Sequence, residues 1–167
     1  VRIGTHALNK GSRSTLWGRL RGHRGTHASG NGNHRGSIFR LLIGTALRTR
    51  DGDECSTWDD HCSSAPRDVR DAERAMERSV SEIIRAMPFV WLPVEDDAGP
   101  HSARGIIERG TIALLSNWDR EKIDPPSSSW LGLYCNRKRI CQSGLWNSNH
   151  VEEPYDPTFL DCFQCLI

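Results

Sequence analysis

Four stretches of this 167-residue chain carry apolar residues at helical spacing and only two short segments read as strands, so the fold has to be built from helices around a small sheet. Thr15, or Ser14 before it, can cap a helix over Leu16–Arg24, with Leu16 and Leu20 one turn apart facing a core. Ser37 caps a second helix, Ile38–Arg50, whose Ile38, Leu41, Leu42 and Thr45 form a stripe. In the third, Asp68–Ala86, residues Val69, Ala72, Met76, Val80 and Ile83 recur at helical spacing, with Glu and Arg on a solvated face. The fourth, Ser102–Asn117, turns Ile106, Ile107, Ile112, Leu114 and Leu115 inward.

The strand candidates are Val1–Thr5, ending near Gly4, and the proline-bounded run Pro88–Val94, which reads as a buried strand. The expectation is an α+β domain with a small antiparallel or mixed sheet flanked by helices. It comprises residues 1–117, with 51–87 forming an insertion and its helix. An irregular extension, 118–167, packs on the same domain with at most one short helix near Ile140. The chain begins inside what reads as a strand, which points to a fragment or a processed start.

Composition narrows the function. No window approaches the ~18 consecutive apolar residues of a membrane helix. Six cysteines without a secretory signal fit free thiols and a cytoplasmic setting, and Cys162–Cys165 alone has the spacing of a zinc-ligand pair. The net charge of +1 conceals a partition: residues 1–50 hold ten Lys and Arg and no acid, whereas the remainder holds twelve bases and all 21 acids. Nineteen of the 22 basic residues are Arg, whose planar fork suits phosphate oxygens. Such asymmetry points to a polyanionic partner.

Arg19 and His23 share one face of the first helix one turn apart, which places a cation beside a group able to move a proton. Glu108 interrupts an apolar run and needs a cation or a hydrogen-bond donor. Hard oxygen ligands of this kind hold Mg²⁺, and the alternative is an ion pair with Arg104 or Arg109. Asn117 sits where a C-terminal cap belongs. The Gly30–Gly36 loop lacks the spacing of a nucleotide-triphosphate site, but it could offer His34, Arg35 and backbone amides to phosphates.

Taken in order, Arg2-Ile3-Gly4, Leu16–His23 (LWGRLRGH) and Gly105–Asn117 (GIIERGTIALLSN) resemble the GIY-YIG nuclease superfamily. By that resemblance Gly4 matches the glycine of the second motif, Arg19 the catalytic arginine, His23 a histidine of some members, Glu108 the metal ligand and Asn117 a polar residue downstream. The resemblance implies a DNA endonuclease using Mg²⁺ or Mn²⁺. Lys10, Arg13, Arg21, Arg24, His34, Arg35 and Arg40 would then track the DNA backbone. The strand carrying the first motif's tyrosine should precede Val1, and Arg2 stands at the second motif's tyrosine position. An inactive DNA-binding module of the same fold is therefore the alternative, and a zinc-stabilised interaction domain is the third reading.

Overall fold

The computed structural model describes residues 1–26, 32–53, 55–59, 63–122 and 124–167. Seven α-helices are present among them: α1 (Leu16–Arg24), α2 (Ile38–Asp51), α3 (Arg67–Ala72), α4 (Arg74–Ala86), α5 (Ala103–Leu115), α6 (Lys138–Ser143) and α7 (Phe159–Gln164). Two 3-10 turns, His34–Gly36 and Leu131–Tyr134, complete the regular structure.

The helix starts follow from their caps. Thr15 Oγ1 accepts from Gly18 N at 3.0 Å, Ser37 Oγ from Arg40 N at 3.3 Å, and Ser102 Oγ from Arg104 N at 3.2 Å, each satisfying an amide that the first turn leaves open. α2 ends at Gly52, whose φ of 70° lies in the left-handed region.

α2 is the central helix. Phe39, Leu42, Ile43, Ala46 and Leu47 are all buried, a wider face than the expected stripe, whose Ile38 is instead 48% exposed. They pack on Met76, Val80 and Ile84 of α4, on Trp58, and on Ile140 and Trp146 from the C-terminal part of the chain. Gly44 allows Trp58 to lie against α2, because a Cβ there would fall 2.1 Å from the indole. A smaller cluster joins Ile112 of α5 to Leu145, Val151 and Ile3.

Three expectations are corrected. First, no strand occurs among the described residues, so the α+β class with a small antiparallel or mixed sheet does not hold. A strand exists only through the ladder it shares with a neighbour. The polar groups of Val1–Thr5 go elsewhere: Ile3 N donates to Asn147 Oδ1 at 3.0 Å, Asn147 Nδ2 donates to Ile3 O at 2.9 Å, and Trp146 N donates to Val1 O at 2.9 Å. One side-chain amide thus takes the place of a strand partner. The Pro88–Val94 run lies at the surface, with Val90 97% exposed, and its two prolines lack ladder donors. Second, the charges of Asp68–Ala86 do not all face solvent, since Glu73 and Glu77 are buried and the helix breaks at Glu73. Third, Ile106, Leu114 and Leu115 of α5 are exposed, and Gly110, Ile112 and Ala113 form its buried face.

Candidate nuclease site

Glu108 is half-buried on α5 in a cleft of about 130 Å³ that Arg2, Ile112, Asn147, Asn149 and His150 help to line. The expected pairing with Arg104 or Arg109 does not form. Arg104 bonds the carbonyls of Val94 at 2.8 Å and Asp96 at 2.7 Å and pairs with the Asp96 carboxylate at 3.3 Å, while Arg109 pairs with Glu153 at 2.5 Å. Burial raises the Glu108 carboxyl above its ordinary range, against the opposing charges of Arg2, His150 and Arg19 and a hydrogen bond from the Thr5 backbone. Arg2 is the counterpart. Burial lowers its pKa, Arg19 adds to the effect, and Arg2 Nε is enclosed without a hydrogen-bond partner among the described residues.

Arg19 is exposed on α1, and its charge reaches Arg2, His6, His23 and Glu108 alike. His23 lies half-buried on the same helix, edge-on to Phe39, with Nδ1 2.7 Å from Ser37 Oγ. Burial first, then the charges of Arg19, Arg2 and Arg40, push its pKa down to about 4. The imidazole is therefore neutral at pH 7. If Nδ1–H donates to Ser37, Nε2 is left to accept a proton.

His150 reaches the cleft from the C-terminal part of the chain. Its Nδ1 lies 2.9 Å from Glu153 Oε1, and Glu153 accepts from Arg109 through its other oxygen. The bond to His150 and then the bond to Arg109 hold Glu153 below the ordinary carboxylate range despite some burial, so Glu153 accepts from both.

The remaining sequence-predicted residues divide into two groups. Lys10, Arg13 and Arg21 are exposed and Arg24 is half-buried, all on or before α1. His34, Arg35 and Arg40 are not on that basic surface. Arg40 is 0% exposed and bonds Glu77 Oε2 through Nε at 2.9 Å and through Nη2 at 2.5 Å, as well as Ser81 Oγ at 3.0 Å and the His23 carbonyl at 2.7 Å. His34 bonds Glu77 Oε1 through its backbone N at 2.6 Å and Nδ1 at 2.9 Å, and stacks on Trp58. Arg35 makes a two-pronged pair with Glu73 at 2.5 and 2.8 Å. Buried guanidinium and imidazole groups require such partners, so these three side chains are engaged inside the protein rather than displayed beside Lys10, Arg13 and Arg21. Asn117 is also away from the cleft. It is buried, and its Nδ2 donates to the carbonyls of Asp124 and Ser143, both at 3.2 Å. Residues 27–31 of the basic loop, with His61 and Cys62, lie outside the described residues.

The cleft fits a divalent ion of the oxygen-loving kind. Such an ion needs one or two carboxylates and completes its shell with water and phosphate oxygens, and Glu108 is a carboxylate with no ion-pair partner among the described residues. Among those residues no group of three or more His, Cys, Asp or Glu could cage a metal, Cys162 and Cys165 included.

The family model for the GIY-YIG domain matches residues 1–167. The chain belongs to the GIY-YIG domain family. No curated protein and no solved structure matches it. The GIY-YIG domain is the hallmark of a nuclease family, generally dependent on divalent metal, and implies a DNA substrate. No described helix of this GIY-YIG chain is long and apolar enough to cross a membrane.

Two cleft residues escape sequence reasoning. Arg2 reads as a motif departure, and His150 as one of several isolated histidines. The HVEE run gives the only local signal, a histidine three residues before the carboxylate that fixes it.

Proposed function

We propose that this GIY-YIG domain hydrolyses DNA phosphodiester bonds with a divalent ion, Mg²⁺ or Mn²⁺, held at Glu108. The observation that carries this reading is a half-buried carboxylate, without an ion-pair partner among the described residues, in a cleft that Arg2 also lines and that the charge of Arg19 reaches. A bound ion there supplies Lewis-acid polarisation of a phosphate oxygen.

The chain's own residues supply the rest. Arg2, in the cleft wall, and Arg19, whose charge reaches Glu108, neutralise charge that develops on the phosphoryl oxygens. Glu108, on α5, would hold the divalent ion. His23, neutral and tied to Ser37, hydrogen-bonds or receives a proton at Nε2. Lys10, Arg13, Arg21 and Arg24 hold flanking phosphates without reading sequence. The C-terminal residues 118–167 belong to the same unit in this reading, since Asn147 and His150 help to wall the cleft.

Plasmid nicking tests the proposal. Wild-type protein should nick supercoiled DNA with Mg²⁺ or Mn²⁺ and not with EDTA, and Glu108→Gln should be inactive with either ion. Nicking that persists in Glu108→Gln overturns the metal assignment. Tight DNA binding without nicking in the wild type favours the second reading, an inactive binding module, which the arginine at the motif tyrosine position supports.

A further inference from the structure

α1 has two working flanks. At roughly 100° per residue, Leu16, Leu20 and His23, all half-buried, share one face, and Arg19 lies beside them on one flank. Trp17 and Arg21, one turn apart, occupy the opposite flank. Trp17 is 61% exposed and makes no ring contact among the described residues. An exposed indole contributes nothing to a core, and α1 buries none of its own residues.

The charged residues near Trp17 in the chain are all cationic. Arg21 is exposed on the same flank, Lys10 and Arg13 are exposed in the loop before the helix, and residues 1–50 contain no acid. An aromatic face set among arginines matches one polyanion with flat faces of its own, a nucleic acid strand whose bases are free to stack. In a continuous duplex both faces of each base are already covered by neighbours, and exposing one costs unstacking. An unpaired base offers its face without that cost.

We propose that Trp17 is a stacking platform for an unpaired base of the DNA, with Arg21 on the adjacent phosphate, so that the domain favours DNA carrying a single-stranded tail or gap over continuous duplex. This rests on the DNA-cleaving reading above. Because Trp17 and Arg19 lie on opposite flanks of α1, the stacked base is not at the scissile phosphate but on the stretch beside it.

The test is fluorescence anisotropy in EDTA with two labelled probes, a continuous duplex and the same duplex with a short single-stranded tail, and with wild type, Trp17→Ala, Trp17→Phe and Arg21→Ala. Circular dichroism checks that each variant is folded. The readout is the ratio of tailed to continuous affinity. Wild type should favour the tailed probe, Trp17→Ala should reduce the ratio by roughly tenfold, and Trp17→Phe should retain most of it. Arg21→Ala should weaken both probes and lower the salt dependence. An unchanged ratio in Trp17→Ala, or a wild-type ratio of one, overturns the platform while leaving the nuclease reading standing. Failure of the wild type to bind either probe overturns both.

Discussion

Arginine, glutamate and histidine meet twice in this molecule: at Arg40, Glu77 and His34 between α2 and α4, and at Arg2, Glu108 and His150 beside α5. In the first cluster the Glu77 carboxylate takes both an arginine and a histidine, and Arg40 is saturated further by Ser81 and two carbonyls. Burial alone would push Glu77 up, but these partners outweigh it and hold its pKa below the ordinary value. In the second cluster the same residue types approach without closing an ion pair, and burial wins, so Glu108 is raised. A saturated cluster has nothing left to offer a ligand and serves the scaffold. An unsaturated one stores demand for a cation, which is what a binding site requires.

The largest effect should come from opening the saturated cluster. Glu77→Leu leaves the Arg40 guanidinium buried and uncompensated, and urea unfolding should show a loss of about 3–5 kcal/mol. Adding Arg40→Met should restore much of it, because a buried pair replaced as a unit is often neutral. A cost below about 1 kcal/mol for Glu77→Leu would mean that the network is not as closed as its geometry.

Glu108 should respond in the opposite sense. Its folded pKa lies above its unfolded one, so the charged form is disfavoured by folding, and that penalty is full above the folded value and is relieved as pH falls through it toward the ordinary carboxylate range. Glu108→Gln should therefore leave the urea midpoint unchanged or higher while abolishing nicking. Arg19→Ala should slow nicking roughly 10²–10³-fold and shift stability by no more than about 0.5 kcal/mol, as expected of an exposed side chain. Should Glu108→Gln destabilise as Glu77→Leu does, the two clusters are alike and the assignment of a site to the second fails.

The contrast also explains what the sequence could disclose. Helix starts were legible at Thr15 and Ser37 because a cap and the amide it serves lie within three residues. Glu108 stood out because it interrupts an apolar run. Glu77 did not, since its partner Arg40 is 37 positions away and nothing near either residue announces the pair. Separations of 43 and 38 positions likewise hid the burial of His34 and Arg35. Arg2 and His150 come together through tertiary folding alone, and the expected strands failed because pairing is a property of two segments, not one.

His23 provides a smaller, pH-dependent test. Its folded pKa of about 4 lies below the ordinary value of 6.5. Between these values the unfolded chain binds the proton and the folded one does not, so the group's contribution is full above pH 6.5 and declines as pH falls to about 4. Unfolding curves from pH 7 to 4 should therefore fall less steeply for His23→Gln than for wild type. Equal slopes would place His23 in solvent rather than between Ser37 and Phe39.

The smallest effect separates surface arginines from buried ones. Each phosphate neutralised contributes about 0.9 to the slope of log affinity against log salt. Arg13→Ala and Arg21→Ala, on exposed residues, should each lower that slope for duplex DNA by roughly this amount. Arg35→Gln should leave the slope of the folded protein unchanged, because the guanidinium is already committed to Glu73 at 2.5 and 2.8 Å. The +10 charge of the first fifty residues thus overstates the phosphate-binding surface, since Arg35 and Arg40 spend their charge inside the protein. A drop of about 0.9 for Arg35→Gln, equal to that for Arg13→Ala, would show that the Arg35–Glu73 pair opens to DNA and that the buried network is part of the interface after all.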